Sequence, residues 1–116
     1  LMRKNGGSIV NFSTVASPLN LEGEAIYAST KCAIEKLTKI SAFELSNYKI
    51  RVNCVGPTPI YTDLIKTVPK NKIDELLSRQ AIKRLGSFDD VKNVIDFYCS
   101  SSSDFITGQT IFLGGI

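Results

Sequence analysis

Ser8-Ile9-Val10-Asn11-Phe12, then an unbroken segment from Glu24 to Asn47, then Ile50-Arg51-Val52-Asn53-Cys54-Val55 together decide how this chain folds. The first run is short, rich in β-branched and aromatic side chains, and preceded by Gly6-Gly7, so it reads as a strand. The middle segment has no glycine or proline. Within it Ile26, Ala33, Leu37, Ile40 and Glu44 fall near one face while Lys36 and Lys39 turn elsewhere, which is helical spacing. Ala25, Ala28, Ser29, Cys32 and Ala33 keep its first half small, suiting close approach to a neighbour. The third run reads as a second strand, stopped by Gly56-Pro57. Strand, helix, strand in this order predicts a βαβ unit, a parallel pair joined by a right-handed crossover.

Working outward, Ser17-Pro18-Leu19-Asn20 reads as a loop between the first strand and the helix. Pro57 to Pro69 mixes turn and apolar residues, as a functional loop or short helix does. Lys70 to Ser78 carries Ile73, Leu76 and Leu77 at helical spacing. Ser87-Phe88-Asp89-Asp90 is a capping-box pattern, and Val91, Val94, Ile95 and Tyr98 supply the apolar stripe of the helix it opens. Ser100 to Ser103 reads as a polar turn and Gln109 to Leu113 as a last strand. The expected fold class is α/β, with a parallel sheet covered by helices. Three strands are few for such a sheet, so either the form is minimal or part of the sheet lies elsewhere.

Composition narrows the chemistry. The 116 residues suffice for one domain, and 43% hydrophobic with 22% charged residues is ordinary for a globular protein. Net charge is +3 with the basic residues dispersed, so no nucleic-acid surface is expected. Lys66, Lys70 and Lys72 come closest to a cluster and read as a solvated helix face. Cys32, Cys54 and Cys99 include no CxxC pair, which argues against a disulfide framework or zinc and reads as three small buried side chains in a reducing compartment. No apolar run reaches membrane-spanning length and no signal peptide opens the chain, so a cytoplasmic protein without a membrane partner is expected. Histidine is absent, which removes His-dependent triads and most metal sites; no metal is expected. Acid–base work at neutral pH falls to carboxylates, lysine, tyrosine or cysteine.

Tyr27 and Lys31 lie four apart on the long helix and share a face. An ammonium beside a phenol favours the phenolate and makes tyrosine a usable proton donor and acceptor. With four tyrosines and ten lysines in the chain, about a third of such a match arises by chance, so the spacing needs context. Ser13-Thr14 provides it. These residues end the first strand, at the carboxyl edge where open α/β sheets bind ligands.

Taken together, Gly7 to Ser17, Tyr27-Ala28-Ser29-Thr30-Lys31, Arg51-Val52-Asn53-Cys54-Val55-Gly56-Pro57 and Ile106 to Gly115 resemble the second half of the short-chain dehydrogenase/reductase family. The resemblance runs over nearly the whole chain, with the motifs in order. It implies the C-terminal part of a doubly wound, Rossmann-type parallel sheet. Residues 1–116 then form the C-terminal catalytic half of a single domain, without the N-terminal dinucleotide-binding half. That half carries the family's glycine-rich phosphate loop, and none of the eight glycines here forms it.

By the same resemblance, Tyr27 is the general acid/base and Lys31 holds the nicotinamide ribose hydroxyls. Thr14 stands where the family has its catalytic serine, and Ser13 is the substitute. The family's Pro-Gly-x-Ile-x-Thr cofactor loop corresponds to Pro57-Thr58-Pro59-Ile60-Tyr61-Thr62, with Pro57, Ile60 and Thr62 matching and Thr58 replacing the glycine. The implied cofactor is NADP or NAD. The implied substrate is a small carbonyl or secondary alcohol, and family analogy points first to carbonyl reduction, for example of a 3-oxoacyl thioester. The implied assembly is a homodimer or homotetramer of the full-length protein, paired through the helix bearing Tyr27. The alternative is a non-catalytic fragment serving as an assembly or interaction module.

Overall fold

A computed structural model describes residues 1–116. A four-residue helix α1 (Met2–Asn5) leads into β1 (Gly7–Phe12), α2 (Ala16–Leu19) and α3 (Ala25–Glu44). These are followed by β2 (Ile50–Gly56), α4 (Lys70–Ser78), α5 (Phe88–Cys99) and β3 (Thr110–Phe112). The strands form one parallel sheet in the order β1-β2-β3, with Ile9 opposite Val52 and Cys54 opposite Thr110. The expected α/β architecture is therefore present.

Residues of the Arg51-Val52-Asn53 run fasten this sheet. Arg51 donates to the Ser103 hydroxyl at 2.8 Å and the Ser100 carbonyl at 3.3 Å. Asn53 is fully buried; its amide donates to the Ile106 carbonyl and its oxygen accepts from the Gln109 N–H, both at 3.0 Å. A buried amide with both ends satisfied fixes the approach to β3. Gly56 lets β3 close in, because a Cβ there would lie 2.3 Å from the Phe112 ring. The capping box that opens α5 forms as read: Asp90 N–H donates to the Ser87 hydroxyl while Ser87 N–H returns the bond to the Asp90 carboxylate.

Three readings are corrected. Ser17 to Asn20 is not all loop, since Ala16–Leu19 forms a helical turn. Pro18 falls within its first turn, where no N–H is required, and Asn20 ends it at φ 51°. Cys32 and Cys99 are exposed rather than buried; only Cys54 is enclosed, where burial and then the charge of Glu35 push its thiol up. Lys66 lies in a 3-10 turn paired with Asp63, so only Lys70 and Lys72 share a helix.

The apolar stripe of α3 also takes an unexpected place. Ile26, Leu37 and Ile40 are exposed, as is Phe43, whereas the buried positions are Thr38 and Ala42. The face turned to the sheet is largely polar. Just 19 of the 116 residues are buried, so substantial apolar surface stays uncovered on this chain.

Candidate functional site

Along the inner face of α3, three polar side chains meet the carboxyl end of β1 in succession. Lys31 Nζ donates to the Phe12 carbonyl at 3.2 Å. The Ser13 hydroxyl donates to a carboxylate oxygen of Glu35. Asn11 donates to the Thr38 hydroxyl at 2.9 Å, and Thr38 in turn donates to the Ile34 carbonyl at 2.8 Å. Residues 31, 35, 38 and 42 repeat at three- and four-residue intervals, so they share one face and set the register of helix against strand. Tyr27 belongs to the same row one turn earlier and is about half exposed. Its ring centroid is 5.8 Å from Lys31 Nζ. The row thus passes from the half-exposed Tyr27 near the strand end to the buried Thr38 under the sheet.

Beyond the strands the two chain segments stay paired. Ser13 N–H donates to the Val55 carbonyl at 2.8 Å, and Val15 N–H to the Pro57 carbonyl at 3.1 Å. This brings the Ser13-Thr14 turn beside the start of the Pro57–Thr62 loop. The two hydroxyls of the turn are in different states. Ser13 is 4% exposed and its proton is spent on Glu35. Thr14 is less buried, and its oxygen accepts from Ala16 N–H at 3.3 Å, which leaves its own proton free to donate.

In the loop, Pro57, Ile60 and Thr62 are partly exposed, and Ile60 bridges to Gly86. Thr58 differs: it is 5% exposed, and its hydroxyl donates inward to Gln80. Its side chain is not brought to the Tyr27–Lys31 edge. Two residues outside the sequence motifs emerge, Glu35 and Gln80. Glu35 was legible in principle as the next charged position on the Tyr27–Lys31 face. Gln80 gave no sequence signal, because its link to the loop is a bond to Thr58, 22 residues away.

A groove of about 500 Å³ lies along the first turns of α3, lined by Ser17, Leu21, Gly23, Ala25, Ala28 and Cys32 among others. Neither Tyr27 nor Lys31 lines it. On this chain the Tyr27–Lys31 pair sits on an open edge.

The donor chemistry fits a nicotinamide nucleotide. An ammonium has three donors, and Lys31 spends one on Phe12, leaving others for a ribose diol. The half-exposed Tyr27 lies beside it, and the Pro57–Thr62 loop starts next to the Ser13-Thr14 turn.

Comparison with known proteins gives the family. The family described as enoyl-(acyl carrier protein) reductase matches residues 1–115. A 3-oxoacyl-(acyl-carrier-protein) reductase of Staphylococcus epidermidis is 33% identical over 115 residues, covering 99% of this chain and 47% of that protein. D-erythrulose reductase of Gallus gallus is 39% identical over 111 residues, covering 94% and 45%. Among solved structures, a 7 alpha-hydroxysteroid dehydrogenase complexed with NADH and 7-oxo glycochenodeoxycholic acid superposes with a TM-score of 0.87 at 34% identity, covering 98% and 46%. The chain spans about half the length of the curated relatives it matches.

Proposed function

This chain belongs to the short-chain dehydrogenase/reductase family, and we propose that it is the C-terminal catalytic half of an oxidoreductase acting on a small carbonyl or secondary-alcohol substrate with NAD or NADP. Tyr27 is the proton carrier. Its hydroxyl protonates the carbonyl oxygen during reduction and takes the proton back from the alcohol during oxidation. Lys31, held at the end of β1 by the Phe12 carbonyl, binds the nicotinamide ribose hydroxyls and places positive charge beside the Tyr27 ring. Thr14 donates to the substrate oxygen and so holds it against Tyr27. Pro57, Ile60 and Thr62 support the carboxamide, with Thr58 contributing through its backbone. The bound cofactor supplies or accepts the hydride.

The observation that carries this reading is the Lys31–Phe12 bond. It fixes an otherwise mobile lysine at the carboxyl edge of a parallel sheet, with the tyrosine ring 5.8 Å away. The same helix exposes Ile26, Leu37, Ile40 and Phe43, which supports pairing of the whole protein as a homodimer or homotetramer through α3. No helix of this chain is long and apolar enough to cross a membrane.

Tyr27→Phe tests the assignment. It removes the transferable proton and keeps the ring, so turnover by the whole protein should fall by roughly 10²–10⁴-fold with cofactor affinity little changed. Turnover within a few-fold of the parent would take Tyr27 out of the mechanism.

A further inference from the structure

The loop that bears Pro57, Ile60 and Thr62 is fastened from behind by a residue outside every motif. Gln80 is 1% exposed, and its whole amide is in use. Its oxygen accepts from the Thr58 hydroxyl; its nitrogen donates to the carbonyls of Ile82 at 3.1 Å and Arg84 at 3.3 Å. The surrounding segments are tied to one another as well. Ala81 and Ile82 N–H donate to the Gly115 and Gly114 carbonyls at 2.8 and 3.0 Å, and Gly86 N–H donates to the Pro59 carbonyl at 3.0 Å. Gly114 has φ +87°, and a Cβ there would lie 2.9 Å from the Gln80 nitrogen. Three segments, Pro57–Ile60, Gln80–Gly86 and Leu113–Gly115, thus close around one buried amide.

We propose that Gln80 is a positioning residue for the nicotinamide-binding loop, acting through the hydroxyl of Thr58. The inference rests on the dehydrogenase reading given above. Glycine, which the family carries at the position of Thr58, leaves a loop path free to be set by the ligand. Threonine cannot do this, but its hydroxyl adds an anchor. Inside a buried site such a bond is held firmly, because releasing it orphans both partners. Gln80 converts that anchor into a fixed path, since its other end grips Ile82 and Arg84 in the segment paired with the C-terminal residues. The loop then presents its backbone groups already in place, and less ordering remains to be done when the cofactor arrives.

Thr58→Val keeps the shape and deletes the donor, whereas Thr58→Ser keeps the donor. Both belong in the protein with its complete dinucleotide site. Two readouts are needed: hydrogen exchange at the Gly86 amide without cofactor, and NADH and NADPH dissociation constants from fluorescence quenching. Thr58→Val should speed Gly86 exchange and weaken cofactor binding, each by about tenfold, the scale of one buried hydrogen bond lost. Thr58→Ser should stay close to the parent in both. Gln80→Leu, made independently, should reproduce the valine result. A valine variant that matches the serine variant in both readouts would overturn the inference while the parent still binds cofactor. A parent that binds neither nucleotide would overturn the dehydrogenase reading and this inference with it.

Discussion

Tyr98 offers a stability test whose size follows from its surroundings. The residue lies on α5 and is fully buried, with its hydroxyl beside the backbone of Ile111. Burial, and then the neighbouring Cys54, push its phenol up to about 12. In the unfolded chain the same phenol titrates near 10. The folded form therefore keeps its proton where the unfolded form has lost it, so this contribution is intact below about pH 10 and is lost as pH rises through about 12. At about pH 11 the folded state should have lost roughly 1.4 kcal/mol, and the full loss approaches about 3 kcal/mol. Tyr98→Phe removes the titration and a hydroxyl whose contact is the Ile111 backbone, so stability at neutral pH should change by no more than about 1 kcal/mol, the net worth of one hydrogen bond. Urea unfolding of parent and variant at about pH 8 and about pH 11 measures the difference. Other tyrosines and the lysines titrate in both proteins and cancel. Equal alkaline losses in the two proteins would refute the argument and imply that the Tyr98 hydroxyl is solvated in the folded state.

Further outcomes follow from the same geometry. Thr14→Ala should cost more turnover than Ser13→Ala while Thr14→Ser remains active, because the Ser13 proton is already spent on Glu35; steady-state rates giving the opposite ranking would move the substrate contact to Ser13. A thiol reagent should label Cys32 and Cys99 in the native protein and Cys54 only after unfolding, as exposure and the raised Cys54 thiol require; mass spectrometry showing rapid native labelling of Cys54 would contradict its burial. Leu37→Asp places a charge in the exposed apolar stripe of α3 and should convert the whole protein from dimer or tetramer to monomer in sedimentation at micromolar concentration. An unchanged assembly would exclude that stripe from the interface.

Much of the fold was readable because local chemistry and final structure agree. Ile9, Val10 and Phe12 in a short run between turn signals form a strand wherever a sheet can take them. Ser87 and Asp90 cap α5 through bonds that span three residues and need no tertiary help. The proximity of Tyr27 and Lys31 was legible for the same reason, as the two meet through helix periodicity alone. What could not be read depends on distant partners. The inward turn of Thr58 is set by Gln80, and the commitment of Ser13 is set by Glu35 on another element. Pro18 and Asn20 gave honest turn signals, yet a proline in a first helical turn and an asparagine at its left-handed end satisfy those signals inside a helix.

The harder case is α3, because there the usual rule selects the wrong face. Apolar periodicity picks out Ile26, Leu37 and Ile40, and a reader would turn them to the core. The structure turns Lys31, Glu35 and Thr38 toward β1 instead, with Tyr27 half exposed at the outer end of the same row. That inversion is affordable only because the polar groups have strand-end partners: Lys31 on Phe12, Glu35 on Ser13, Thr38 on Asn11. Each of these bonds ties the helix to β1 at a different level, so the helix cannot slide or roll without breaking several at once. Hydrophobic contact is non-directional and would tolerate such slippage. A proton carrier must be held to within about 0.5 Å of its productive place, and directional bonds can supply that precision. The outward stripe is the consequence. A helix that spends its inner face on register leaves Ile26, Leu37, Ile40 and Phe43 outward, so the proposed assembly through α3 and the proposed role of Tyr27 would follow from one and the same choice of face.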